Sequence, residues 1–198
     1  MEKLDLLKLH KDEYAAPKQP AIVNVKPGKY LAISGEGRPG DETFGAQVAA
    51  LYGLAYTIRF ARKREGRGDF KVCPLEGIYR ALDGTGQDAL HTSWKLLIRM
   101  PPDTTVSELR SAVEAVRKRG RTGPFGSVAL EKLAGGKCVQ MLHIGPYNTE
   151  HETVARIQEF AAKQGLALSG GHHEIYISDP TRVAPEKLKT ILRYPVRS

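Results

Sequence analysis

One order of elements occurs twice along these 198 residues: a short apolar strand, a glycine-rich turn, an amphipathic helix, then two further strands. In the first copy, Tyr30 to Ser34 is an apolar run entered through Pro27-Gly28. Gly35, Gly37 and Gly40 break it, and Asp41 stands where a helix N-cap is wanted. Phe44, Val48, Leu51 and Ala55 then recur at helical spacing, predicting a helix from Glu42 to Ala55. The apolar runs Tyr56 to Arg62 and Phe70 to Ala81, joined by a basic Gly-rich turn, read as a hairpin, and Trp94 to Met100 as a strand ended by Pro101-Pro102. A helix from Ser107 to Arg119 follows.

The second copy starts with strand Lys137 to Ile144, turns at Gly145-Pro146-Tyr147 and enters a helix from about Thr149 to Gln164. Strands Leu166 to Leu168 and His173 to Ser178 come next, then a short helix from Pro185 to Leu188 and a last strand, Thr190 to Val196. Each copy has one sheet face for its helix to cover. The pattern therefore predicts an α+β fold of two strand–helix–strand–strand modules, paired about a pseudo-twofold axis with a ligand groove between them.

Composition narrows the function classes. With 41% hydrophobic and 26% charged residues the chain is ordinary globular protein, long enough to fold without staples. The net charge of +8 raises nucleic acid as a partner. The charge gathers in Arg62-Lys63-Arg64 and Arg117-Lys118-Arg119, which read as solvated turns and a helix C-terminus. No helix-turn-helix, zinc-finger or RNP pattern accompanies it, so nucleic acid is not an expected partner. No apolar run is long enough to span a membrane or to serve as a leader, and Cys73 and Cys138 sit in apolar runs as buried thiols. Both features point to the cytoplasm. His143 and His172-His173 find no third ligand at fixed spacing, so no metal or cofactor is expected. The segment from Gly35 to Gly40 lacks the Gly-Lys-Ser/Thr ending of a phosphate loop, and no Gly-x-Ser-x-Gly elbow exists. Nothing in the sequence sets an oligomeric state.

Three stretches carry a family resemblance. They are Pro74-Leu75-Glu76-Gly77, then His143-Ile144-Gly145-Pro146-Tyr147, then His173-Glu174-Ile175-Tyr176-Ile177-Ser178-Asp179-Pro180 with Ala184-Pro185-Glu186-Lys187-Leu188 behind it. Together, and in this order, they resemble the GyrI-like family. The resemblance implies residues 1–26 as an N-terminal extension and 27–198 as the GyrI-like domain. Module one would cover about 27–105, a linking helix about 106–120 and module two about 127–198. It further implies a groove for small organic molecules. The family includes effector domains of AraC- and MerR-type regulators that accept lipophilic cations, single-domain inhibitors of DNA gyrase, and stand-alone proteins that hydrolyse the cyclopropane of DNA-alkylating natural products. A direct role in transcription is not implied, because the chain shows no DNA-binding domain.

Within such a groove the residue types suggest the chemistry. Strand alternation puts Ile175 and Ile177 on one face and Glu174, Tyr176 and His172 on the other. If the isoleucines pack against the helices, Glu174 points into the groove. Glu76 occupies the corresponding strand of the first module, and a pseudo-twofold axis would bring the two carboxylates together, although Gly77 reads as a possible bulge. Such a pair either attracts a delocalised cation or supplies a general base for water. Trp94, Tyr79, Tyr147 and Tyr176 are the aromatic candidates for stacking on a flat or cationic ligand. Three readings stay open: a hydrolase of cyclopropane-bearing compounds, a non-catalytic binder or sensor of lipophilic cations, and a gyrase inhibitor acting by protein contact.

Overall fold

The path of the chain is set by one sheet that both helical layers share. The computed structural model describes residues 3–81 and 92–198. In chain order the elements are α1 (Leu6–Leu9), α2 (Lys11–Tyr14), β1 (Ala21–Val25), β2 (Gly28–Gly37), α3 (Glu42–Arg64), β3 (Leu75–Ala81) and β4 (Thr92–Met100). Then follow α4 (Val106–Lys118), β5 (Ala129–Leu133), β6 (Gly136–Ile144), α5 (Glu150–Lys163), β7 (Ala167–Leu168), β8 (His172–Tyr176) and β9 (Lys189–Arg197). This is an α+β fold. The strands lie in the order β1-β6-β9-β8-β3-β4-β2-β5, with β7 against β9, and every pairing is antiparallel. From either side of the central β8–β3 contact the sheet runs through the last, then the first, strand of a strand–helix–strand–strand set, so the order is palindromic.

Directly paired residues share a sheet face. One row, Ile33–Leu96–Gly77–Glu174–Leu192–Met141, crosses six strands. Its ends belong to two clusters, one under α3 with Leu51, Leu54 and Ile58, the other under α5 with Val154, Ile157 and Ala161. Both helices therefore cover the same face. They rest on opposite halves, α3 on β2 and β4 and α5 on β6 and β9, which leaves the β3–β8 seam between them. The next row, Ala32–Leu97–Glu76–Ile175–Ile191–Leu142, lies on the opposite face.

That second face is covered at its centre by the N-terminal residues. Tyr14 packs on Ile175 and Ile191, Glu13 pairs with Arg99 at 2.6 Å, Gln140 donates to the Asp12 carbonyl, and Arg193 donates to the Glu13 carbonyl. Strand β1 extends the sheet alongside β6. Residues 3–26 thus contribute an edge strand and a buried polar layer to the sheet. Both cysteines are free and buried, as their apolar settings suggest.

The hairpin read from the runs Tyr56 to Arg62 and Phe70 to Ala81 does not form: the first run is helical and only the second holds a strand. Helix α3 runs unbroken for 23 residues to Arg64, because Leu54, Ala55, Ile58 and Arg62 continue its buried stripe past Ala55. The apolar residues that mimic a strand, Tyr56 and Phe60, stack on each other on the outside of this helix. Arg62 is not solvated either. It is buried, and its guanidinium bridges Glu108 at 2.6 Å and Asp103 at 2.9 Å, tying α3 to the start of α4.

Candidate functional site

The seam between α3 and α5 has a floor built by strand alternation. Gly77 and Tyr79 of β3 and His172, Glu174 and Tyr176 of β8 all point to the helix face. Gly77 is paired regularly, with no bulge, and glycine is needed there because a Cβ would come within 2.6 Å of the Tyr79 ring folded back over it. The Tyr79 and Tyr176 hydroxyls are hydrogen-bonded to each other. Tyr147, in the turn before α5, meets Tyr176 edge-on with ring centroids 5.9 Å apart. Burial, then the Glu174 charge, pushes the Tyr79 and Tyr176 phenols above the usual range, so both remain protonated donors at neutral pH.

Glu174 sits among these rings. His172 Nε2 lies 3.0 Å from Glu174 Oε1, and its Nδ1 is hydrogen-bonded to the Tyr194 hydroxyl on β9. A second carboxyl arrives from above. Glu150 opens α5 and is nine-tenths buried, and its Oε1 has no hydrogen-bond partner among the described residues. Burial, and behind it the Glu174 charge, raises the Glu150 carboxyl to about 9 despite the nearby Thr190 hydroxyl. A helix N-terminus favours an anion by only about 0.3–1 kcal/mol, too little to offset that desolvation. Donor atoms of Glu150, His172 and Glu174 all lie within 4.8 Å of one another.

Several expected site residues stand elsewhere. Glu174 lies on the face that carries α3 and α5, at the seam between them; Ile175 packs on the other face, against Tyr14 of α2 rather than against α3 or α5. Glu76 does not join it. It pairs with Ile175, so it points to the opposite face, wholly buried, accepting from Tyr14 at 2.6 Å and bonded to His173 Nε2 at 2.9 Å. β3 and β8 are neighbours in the sheet, and their antiparallel register, Gly77 opposite Glu174, decides the faces. Trp94 is in the core. It is 2% exposed, donates its indole N–H to Gln47 at 2.7 Å and meets Phe44 edge-on, so it offers no stacking face to the groove. Tyr79, Tyr147 and Tyr176 are brought together around Glu174.

Sequence reasoning passed over Glu150. A signal existed: Glu150, Val154, Ile157 and Ala161 fall on one helical stripe, so a carboxyl heads an otherwise apolar row. The third partner for His172 was missed for the same reason, since it lies 22 residues away and only the packing of α5 on the sheet brings it near. Two concavities elsewhere gather no comparable cluster. One, of about 380 Å³ between α3 and α4, has its acid Glu108 already held by Arg62 and Arg67. The other, of about 720 Å³ around Ser34, Ile78 and Leu133, has Lys95 paired with Glu131.

Comparison with known proteins agrees with this architecture. The sequence matches the GyrI-like small molecule binding domain over residues 18–197, and the chain belongs to that family. An uncharacterized conserved protein from Listeria innocua is 36% identical, with a TM-score of 0.92, the match covering 98% of this chain and 100% of that one. A crystal structure described as a hydrolase from Listeria innocua is 35% identical, with a TM-score of 0.89 and the same coverage. The C-terminal domain of EcmrR shares the fold at 10% identity, with a TM-score of 0.56 over 91% of this chain and 98% of that domain. No curated protein gives a match. Among the described residues no helix is long and apolar enough to cross a membrane.

Proposed function

We propose that the groove over the β3–β8 seam binds a flat aromatic or cationic small molecule and hydrolyses an electrophilic, cyclopropane-bearing one, as a detoxifying enzyme of the cytoplasm. One observation carries the reading: Glu174, held by His172, stands beside protonated phenols on the strip of sheet that α3 and α5 leave between them. The 35% identical hydrolase from Listeria innocua supports it.

The chemistry needs no group beyond these side chains. The substrate stacks against Tyr147 and the Tyr79–Tyr176 pair. Glu174 takes a proton from a water; the water oxygen bonds to a cyclopropane carbon as the strained carbon–carbon bond breaks. The released electron pair runs through the conjugated dienone to its carbonyl oxygen. A tyrosine hydroxyl protonates that oxygen and is reprotonated from Glu174, so the product is a phenol and the enzyme returns to its starting state.

The second reading, capture of lipophilic cations without turnover, is favoured by the concentration of acids beside aromatic rings in a chain of net charge +8. The two readings separate when the protein is mixed in turn with a cyclopropyl-dienone and a dye cation. Ring opening, followed by absorbance, supports the enzyme; tight dye binding with no ring opening supports the binder. Neither result would leave protein contact as the family function to test.

A further inference from the structure

We propose that Glu150, His172 and Glu174 form a binding site for a zinc-type divalent cation, and that an ion held there silences Glu174 as a base. The three side chains come from two elements that meet only in the folded chain, α5 and β8, and their donor atoms all lie within 4.8 Å of one another. The site is built rather than incidental. Glu150 is nine-tenths buried, a carboxyl oxygen of it belongs to the cluster, and its Oε1 has no hydrogen-bond partner among the described residues. A buried carboxylate oxygen left without a partner is rare and calls for a ligand.

His172 is prepared in the same sense. Its Nδ1 is engaged by the Tyr194 hydroxyl, which fixes the ring and leaves Nε2 facing Glu174 Oε1 at 3.0 Å. Metal-bound imidazoles characteristically have their second nitrogen held this way. One imidazole and two carboxylates with a position left open is a zinc donor set; calcium wants six to eight oxygens and magnesium an octahedron of them. Zinc bonds of about 2.0–2.2 Å put tetrahedral ligand atoms about 3.3–3.6 Å apart, so no pair has to close by more than about 1.5 Å. Rotation of a glutamate side chain supplies that. His172 and Glu174 are the more accessible members, which gives an ion its way in.

An ion seated here uses the lone pairs with which Glu174 would take a proton from water. The inhibitory half of the proposal therefore rests on the hydrolytic reading, while the binding half stands without it. The test is calorimetric titration of the chelator-treated full chain with zinc chloride, alongside the same titration of Glu150→Gln and His172→Gln, each checked for folding by circular dichroism. The expected result is one zinc per chain in the parent protein, weakened by more than about tenfold in both variants, with calcium and magnesium giving no heat. No stoichiometric zinc, or unchanged zinc affinity in folded Glu150→Gln, overturns the site. In the ring-opening assay, stoichiometric zinc should abolish turnover and chelator restore it. Turnover that is unaffected or raised by zinc overturns the inhibitory half. Absence of turnover in metal-free protein instead defeats the hydrolytic reading, and the inhibitory half with it, while leaving the titration result intact.

Discussion

Tyr14→Phe isolates the buried polar layer that backs the groove. The hydroxyl donates to Glu76 Oε1 at 2.6 Å, and both residues are buried, Tyr14 at 8% exposure and Glu76 at 0%. Glu76 keeps its second hydrogen bond, from His173 Nε2 at 2.9 Å, so the variant removes one donor from a carboxylate that has no water to replace it. Phenylalanine fills nearly the same volume, so little cavity cost is added. A hydrogen bond to a charged group is worth about 1.5–3 kcal/mol, and the expected destabilisation is about 2–3 kcal/mol. For a chain this size that corresponds to a fall in Tm of roughly 4–12 °C. Urea denaturation gives the value directly, with the midpoint shifted and m unchanged. The pH dependence is a second readout. Burial pushes the Glu76 carboxyl up, but His173, Arg193 and Tyr14 outweigh it and hold it below its ordinary value. Its contribution to stability is therefore present above the unfolded carboxyl range and lost as pH falls through the folded value. Tyr14→Phe brings the folded value closer to the ordinary one, so the acid loss should be smaller than in the parent and complete at a higher pH. A change under about 0.5 kcal/mol at pH 7 would refute the reasoning, because the layer would then not be dry.

Other substitutions test other parts of the structure. Arg62→Ala leaves the largely buried Glu108 with Arg67 and the Thr105 capping box and releases the exposed Asp103, and should cost about 2–3 kcal/mol in denaturant melts. Gly77→Ala places a methyl within 2.6 Å of the Tyr79 ring, and should cost about 1–3 kcal/mol and weaken dye-cation binding through displacement of Tyr79. Trp94→Phe should lose about 2 kcal/mol of stability with the Gln47 hydrogen bond, yet leave ligand affinity unchanged, since the indole lies in the core. A large loss of affinity in a folded Trp94→Phe protein would place the ring in the groove after all.

Periodicity made most of the framework legible. The stripe of α4, the strand from Trp94 to Met100 and the alternation of Glu174 and Tyr176 against Ile175 all follow from local spacing. The α3 error has a local cause as well. Tyr56, Ile58 and Phe60 alternate as a strand would, and only the continuation of the buried stripe to Arg62 distinguishes a helix. What spacing does not carry is register. Glu76 and Glu174 occupy equivalent strands, but the one-residue offset that sets Gly77 opposite Glu174 sends the carboxylates to opposite faces. Likewise, the role of Tyr14 depends on a contact made 62 residues along the chain, with Glu76, and no local pattern encodes it; the helical stripe marks Glu150 as inward-facing but not its partners.

Glu174→Gln tests the central claim, that a carboxylate on the floor of the β3–β8 groove activates water. Single-turnover ring opening of a cyclopropyl-dienone and equilibrium binding of the same compound are measured on the parent and the variant. Glutamine keeps the shape of the side chain and can still meet His172, so binding should change little while the rate falls by about 10²–10⁴. Ring opening at the parent rate, with binding intact, would contradict the account.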